Sequence, residues 1–277
     1  MEATLTKQEF KLFKEFVYNE AGISLGDHKM PLVQGRLAKR LRELNLKSYK
    51  EYYNYLQQNR DTELLTFLSA ISTNVTHFFR EPSQWKFLES NFDRFFGRKK
   101  KFRIWSAASS SGEEPYTIAI FLHENIKNIA QYDIKILATD ISKKVLAMAQ
   151  EGVYEDKQFG NLPNYIKHKY FTKEVNKLKN KTTYRVKPFI KDMIMFRMFN
   201  LVYGDFSIFK KDFDIIFCRN VMIYFDNDTR NALLERFEKI LDSDGLLFLG
   251  QSESTQRRDI FSLLGSSIYK KPTSRIF

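Results

Sequence analysis

The stretch from Ile104 to Ala119 constrains the fold of this chain more than any other part of the sequence. An apolar segment runs into a turn of small residues, and a helix that carries Glu113 and Glu114 at its start follows the turn. This order is typical of an α/β protein whose ligand lies at the carboxyl end of a parallel strand. Turns built for phosphate have several glycines and no acid, but this turn has only Gly112. Two carboxylates would repel an anion, so the pattern favours a ligand with an adenosine end and a positive charge, such as S-adenosylmethionine.

The sequence after Ile104 alternates between apolar strands and helices. We predict strands at 134–139, 214–218 and 246–249 and helices at 113–125, 143–151 and 229–241. Such alternation indicates an α/β fold in which helices flank a parallel sheet. Residues from about 162 to 201 interrupt the alternation, and a lysine-rich turn precedes Thr183–Lys187. This segment predicts a small antiparallel β insertion at roughly 165–195.

The first 90 or so residues have only helical periodicity. Pro31 suits the first turn of a helix that runs to about Leu44. The apolar stripe of this helix consists of Val33, Leu37, Leu41 and Leu44. Its basic side chains fall outside that stripe or at its edge: Arg36, Lys39, Arg40 and Arg42. We therefore expect an all-helical domain at 1–90 and an α/β domain at 91–277.

The composition limits the classes of function. The 45 basic and 33 acidic residues give a net charge of +12, which indicates either a solvated surface or an acidic partner such as nucleic acid or an acidic protein. No run of about 18 apolar residues occurs, and the amino terminus has no signal-peptide pattern, so we expect a cytoplasmic protein without membrane insertion. One cysteine and four histidines without ligand spacing predict no disulfide and no metal site.

Polar residues follow two of the predicted strands. Asp140 ends one of them, where an acid accepts hydrogen bonds from ribose hydroxyls; the alternative is the N-cap of the next helix. Arg219, Asn220 and Tyr224 follow the strand at 214–218 and would face the ligand crevice. The alternative is that Arg219 pairs with a surface acid while Tyr224 packs against its neighbour. Cys218 is interpreted as a small buried apolar residue.

The helical part ends in Asn74-Val-Thr-His-Phe-Phe-Arg80. Arg80 is a candidate to pair with a ligand carboxylate, in a bidentate contact where the geometry permits it. The alternative is a structural loop in which Phe78 and Phe79 are buried. These residues alone do not decide between the two interpretations.

Five motifs together resemble the CheR-type chemotaxis receptor methyltransferases, over nearly the whole chain and in the same order. They are Asn74-x-Thr-x-Phe-Phe-Arg80, Ser111-Gly-Glu-Glu-Pro-Tyr116, Ala138-Thr-Asp-Ile141, Cys218-Arg-Asn-Val-Met-Ile-Tyr-Phe225 and Gly250-Gln-Ser-Glu253. The resemblance implies an enzyme that methylates glutamates on the cytoplasmic helices of chemoreceptors in chemotaxis adaptation. It implies S-adenosylmethionine as methyl donor and S-adenosylhomocysteine as product. It also implies a helical domain, then a Rossmann-like methyltransferase domain with a β insertion.

The resemblance assigns roles to individual residues. The cofactor would be bound by Asn74, Thr76, Arg80, Glu113, Asp140, Asn200, Leu201, Arg219 and Asn220. Arg219 and Tyr224 would line the site of methyl transfer and are the catalytic candidates. The basic helix would recognise the glutamate-rich receptor helix through Arg36, Lys39, Arg40 and Arg42. In some members of the family the β insertion also binds a receptor tail peptide, and we expect a monomer.

Two other functions remain open from the residues alone. The positive charge would suit a methyltransferase that acts on RNA, although the helical part has no aromatic and basic stacking platform. A non-catalytic module that binds S-adenosylmethionine would retain the same ligand site. The lack of a histidine–acid pair is expected for methylation of glutamate, because a glutamate side chain, with a reference pKa of about 4.3, is already ionised and needs no general base.

Overall fold

The computed structural model describes residues 3–71, 76–160, 162–176, 178, 181–210 and 212–276. The chain divides into two compact units. The first comprises Met1–Val75 and Tyr224–Arg230, and the second comprises Thr76–Ile223 and Asn231–Phe277. Within the described ranges, every helix is too short or too polar to cross a membrane.

The first unit is built from four helices: α1 (Lys7–Ala21), α2 (Met30–Glu43), α3 (Tyr49–Gln58) and α4 (Arg60–Ile71). Helix α1 begins with a capping box, in which Thr6 and Glu9 each accept a backbone N–H of the other. The core forms around Phe13, whose ring lies 5.4 Å from that of Phe67 and 6.0 Å from that of Tyr52. The predicted stripe on α2 is confirmed for its first three residues, since Val33, Leu37 and Leu41 are buried, whereas Leu44 is half-buried.

The second unit begins with α5 (Pro82–Ser90) and α6 (Phe92–Phe96) and continues as an α/β domain. Its strands are β1 (Lys101–Ala107), β2 (Asp133–Asp140), β3 (Val153–Glu155), β4 (Phe171–Asn176), β5 (Lys181–Val186), β6 (Ile194–Met198), β7 (Phe213–Cys218), β8 (Leu241–Leu249), β9 (Ser262–Gly265) and β10 (Ile268–Lys270). Its other helices are α7 (Glu113–Asn125), α8 (Lys143–Glu151), α9 (Asn164–Tyr170), α10 (Pro188–Lys191) and α11 (Asn227–Ile240), whose first turn belongs to the first unit.

Seven strands form one sheet in the order β6-β2-β1-β7-β8-β10-β9. The first five run parallel, and β10 is antiparallel to both β8 and β9. The insertion forms a separate antiparallel sheet in the order β3-β5-β4. The predicted fold class, an α/β domain with a small antiparallel insertion after a helical part, is confirmed.

Two helix predictions agree with the structure to the residue, namely α7 and α8. The prediction at the start of β8 was wrong: the strand begins at Leu241, which was assigned to the preceding helix. Asp242 to Gly245 interrupt the apolar pattern, but a register shift in β7 between Phe213 and Ile215 lets Leu241 pair with Phe213. This irregular pairing of β7 with β8 has no local sequence signal.

Candidate functional site

The turn between β1 and α7 donates a backbone hydrogen bond to a carboxylate of the same chain, that of Asp140. Three of its residues have left-handed backbone angles: Ala108 at φ 64°, Ser110 at φ 49° and Gly112 at φ 98°. A Cβ at Gly112 would lie 2.8 Å from both Ala149 Cβ and Tyr154 Oη, so only glycine fits there. The N–H of Ser110 donates to Asp140 Oδ2 at 2.9 Å. In a phosphate-binding turn of this type a backbone N–H such as this one would bind the phosphate. Here it binds the Asp140 carboxylate instead.

Asp140 lies at the carboxyl end of β2 and accepts a second N–H, from Ser142, at 2.9 Å. The N-cap of α8 is Ser142, whose Oγ accepts from Val145 N, so the capping alternative for Asp140 is wrong. Burial raises the pKa of the Asp140 carboxyl, and the backbone hydrogen bonds partly offset that rise. The carboxylate keeps further acceptor capacity beyond these backbone donors.

The two acids at the start of α7 have different partners. Glu113 is fully buried and accepts from Gln158 Nε2 and from Ser111 Oγ, both at 2.7 Å. Glu114 accepts from Ser106 Oγ at 2.6 Å and from Arg219 Nη1 at 3.3 Å. Burial raises the pKa of Glu114, although Arg219 acts in the opposite direction.

Arg219 is a buried cation held by three acceptors. Its Nε donates to Glu81 Oε2 at 3.2 Å, and its Nη2 donates to the carbonyl of Arg80 at 2.6 Å. The third acceptor is Glu114. The side chain is 3% exposed. The alternative that Arg219 pairs with a surface acid is therefore wrong, because Glu81 is itself buried.

Asn220, at φ 60°, is clamped between two buried acids. Its Nδ2 donates to Glu81 Oε1 at 3.2 Å, and its backbone N–H donates to Glu253 Oε2 at 2.7 Å. Glu253 also accepts the N–H groups of Gly250 at 2.6 Å and Ile223 at 3.2 Å. A Cβ at Gly250 would lie 2.4 Å from Asn220 Nδ2, which explains a glycine in that motif.

Sequence reasoning missed the roles of Glu81 and Glu253, although both stand in or beside quoted motifs. It also missed Ser109, whose buried Oγ has no hydrogen-bond partner among the described residues. Ser109 follows β1 in the glycine-poor turn. An unpartnered hydroxyl and several carboxylates fit a ligand that has N–H and O–H donors and a positive charge.

The remaining cofactor candidates lie in the second unit, except Asn74, which falls outside the described residues. Thr76 and the Arg80 side chain are half-buried. The Oδ1 of Asn200 accepts the N–H groups of Val202 and Tyr203, and Leu201 is buried beside it. Phe78 is buried in the core, and its ring stacks on that of Phe159 with the ring centroids 4.9 Å apart. This segment therefore also has a structural role.

The basic residues of α2 and Tyr224 lie in the first unit. Lys39 and Arg42 are exposed, and Arg36 donates to the carbonyl of Ala70 at 3.1 Å. Arg40 instead forms two hydrogen bonds, of 2.8 and 2.6 Å, with buried Glu63. The carbonyl of Tyr224 accepts from Ser24 N at 2.7 Å. Among the described residues no cluster of His, Cys, Asp and Glu has the arrangement of a metal site.

Comparisons with known proteins cover nearly the whole chain. The family model described as "CheR methyltransferase, SAM binding domain" matches residues 74–270, and that described as "CheR methyltransferase, all-alpha domain" matches 8–72. A chemotaxis protein methyltransferase of Borreliella burgdorferi is 40% identical over 96% of this chain and 95% of that protein. One of Escherichia coli is 37% identical over 96% and 91%. Among solved structures, the methyltransferase domain of bacterial CtHen1-CN covers 61% of this chain and 63% of that chain, with 15% identity and a TM-score of 0.35.

Proposed function

The chain belongs to the CheR methyltransferase family, and on that premise we propose that it transfers the methyl group of S-adenosylmethionine to glutamate side chains on the cytoplasmic helices of chemoreceptors. The products are a glutamyl methyl ester and S-adenosylhomocysteine. The enzyme would act in the cytoplasm as a monomer. A receptor tail peptide on the β insertion is a further proposed contact.

The observation that carries this proposal is the character of the β1–α7 turn. Ser110 N donates to Asp140, and two acids, buried Glu113 and half-buried Glu114, begin the helix. This arrangement disfavours the pyrophosphate of a dinucleotide and favours a cationic ligand with ribose hydroxyls.

We assign the cofactor contacts to residues at this edge of the sheet. Asp140 would accept from the ribose hydroxyls, and Glu113 would face the methionine portion. Asn200 and Leu201 would lie near the adenine. The other proposed contacts are Asn74, Thr76, Arg80, Arg219 and Asn220.

The reaction requires alignment rather than proton transfer. When bound, the sulfonium supplies an activated methyl group, and the glutamate substrate, with a reference pKa of about 4.3, is already the nucleophile. The chain must orient the reacting groups and exclude water. Since Arg219 is engaged by Glu81, Glu114 and a carbonyl, we propose that it fixes the geometry of the site instead of clamping the substrate. Tyr224 is the proposed residue that orients the methyl donor or acceptor.

The substrate would be recognised through the exposed basic residues of α2. Lys39 and Arg42 are exposed and would meet an acidic receptor helix at the surface, and Arg36 is half-buried on the same helix. Arg40 would contribute indirectly, because its guanidinium is committed to Glu63.

A single assay tests the function. The protein is incubated with methyl-labelled S-adenosylmethionine and receptor-containing membranes, and the labelled product is treated with mild alkali. We expect label in the receptor that is released as methanol, because esters hydrolyse under these conditions and methylated nucleobases do not. Alkali-stable label in RNA would support the nucleic-acid alternative. Cofactor binding without any transfer would support the non-catalytic one.

A further inference from the structure

Glu81 has an unusual backbone for its position. It precedes Pro82 and occupies the N-cap of α5, yet its φ of 59° and ψ of 67° are left-handed, and its side chain makes no capping hydrogen bond. A left-handed non-glycine residue costs free energy and is retained where the surroundings require it. Here the conformation turns the carboxylate away from the helix end and towards Arg219.

The carboxylate is buried and accepts three hydrogen bonds. Its Oε2 accepts from Arg219 Nε at 3.2 Å, and its Oε1 accepts from Asn220 Nδ2 at 3.2 Å and from Gln251 N at 3.0 Å. Arg219 and Asn220 follow β7, whereas Gln251 follows β8. One carboxylate thus joins the loops at the ends of two adjacent strands.

The other two acids of the cluster hold different groups. One oxygen of Glu114 accepts a hydrogen bond from Nη1 of Arg219, and its other oxygen accepts one from Ser106 Oγ. Glu253 holds backbone N–H groups, including those of Asn220 and Gly250. Glu81 is the member of this trio that contacts the side chains of both Arg219 and Asn220.

We propose that Glu81 is a positioning residue that fixes the guanidinium of Arg219 and the amide of Asn220 for cofactor binding and methyl transfer. Because Asn220 Nδ2 donates to Glu81, Oδ1 is the amide atom that remains to accept an N–H of the ligand. The amide occupies the space that a side chain at position 250 would need, since a Cβ there would lie 2.4 Å from Nδ2. The inference rests on the proposed cofactor contacts of Arg219 and Asn220.

The decisive variant is Glu81→Gln. A glutamine is nearly the same size but has one acceptor oxygen, so its NH2 must face a donor on one side of the cluster. We expect Kd for S-adenosylhomocysteine to rise at least tenfold and kcat to fall at least tenfold. Glu81→Asp keeps two acceptor oxygens and should recover part of both losses. The matched control is Glu89→Gln, which removes the same charge from an exposed position on the same helix and should change neither.

A merely structural role predicts a different result. It would lower Tm and the fraction of binding-competent protein for both Glu81 variants, while Kd and KM of the remaining folded protein stay at the wild-type values. That result would overturn the proposal. Calorimetry measures the competent fraction and Kd separately, and it needs no receptor, so the outcome does not depend on which substrate is methylated.

A double-mutant cycle covers the case in which Glu81→Gln does not fold. Glu81→Asp is combined with Asn220→Ala, and Kd for S-adenosylhomocysteine is measured for the four proteins. If Glu81 acts through Asn220, the effect of Glu81→Asp should shrink in the Asn220→Ala background. Strictly additive effects would overturn the proposed positioning of Asn220 by Glu81.

Discussion

At the scale of single residues, Asp140 links protonation to cofactor binding. Burial raises the pKa of its carboxyl above the ordinary value of 3.8, and the proposed ribose contact needs the ionised form as acceptor. Binding that favours the ionised form must weaken as the pH falls through the raised pKa. We expect the affinity for S-adenosylhomocysteine to decrease on acidification at pH values above 3.8.

Calorimetry at a series of pH values measures this effect. Binding should also release protons near the raised pKa, seen as a heat that depends on the ionisation enthalpy of the buffer. Asp140→Asn should bind weakly, with a flatter pH dependence and less proton release over the same range. An identical pH profile in the variant and the wild type would exclude Asp140 as the titrating group.

At the scale of elements, α2 is attached to its own unit by a buried ion pair. Arg40 donates to both oxygens of Glu63, which also accepts from Tyr52 Oη at 2.8 Å, so the pair joins α2, α3 and α4. The carboxylate raises the pKa of Arg40, and burial raises that of Tyr52. Glu63 is 2% exposed and would be left without its cation if Arg40 were removed.

We therefore expect Arg40→Met to destabilise the protein by about 2–3 kcal/mol, less than for a fully buried pair because Arg40 is partly exposed. Lys39→Met, on the exposed side of the same helix, should change the stability by no more than about 0.5 kcal/mol. Urea unfolding followed by circular dichroism measures both. Adding Glu63→Gln to Arg40→Met should restore part of the loss. Equal effects of Arg40→Met and Lys39→Met would show that the ion pair contributes nothing.

The elements were predictable where their signals are local. Helix α8 agrees with its prediction to the residue, and both of its ends have local causes in the structure: Ser142 caps its start and Gly152, at φ 60°, ends it. The acids Glu81 and Glu253 were not assigned roles, because these depend on chain segments far apart in sequence. Gln251 donates to Glu81 across 170 positions, and no periodicity or spacing encodes such a contact. The ion pair between Arg40 and Glu63 was not predicted for the same reason, because the two residues lie 23 positions apart in the sequence.

At the scale of the whole molecule, the net charge of +12 has two separable parts. One is a general surplus that favours any acidic partner through long-range attraction, which salt screens. The other is the local arrangement of basic residues on α2. Variants that change the total charge equally but at different places distinguish the two.

Lys39→Glu with Arg42→Glu is the test pair, and Lys100→Glu with Lys127→Glu is the control; all four side chains are exposed. Each reversal lowers the charge by two, so both double variants carry +8 instead of +12.

If α2 binds the receptor helix, the test pair should raise KM for the receptor about tenfold, equivalent to about 1.4 kcal/mol. The control should raise KM far less, and neither should change Kd for S-adenosylhomocysteine. The effect of the test pair should decrease with added salt, because exposed charges are screened. Equal increases of KM in the two double variants would mean that total charge, and not α2, attracts the substrate.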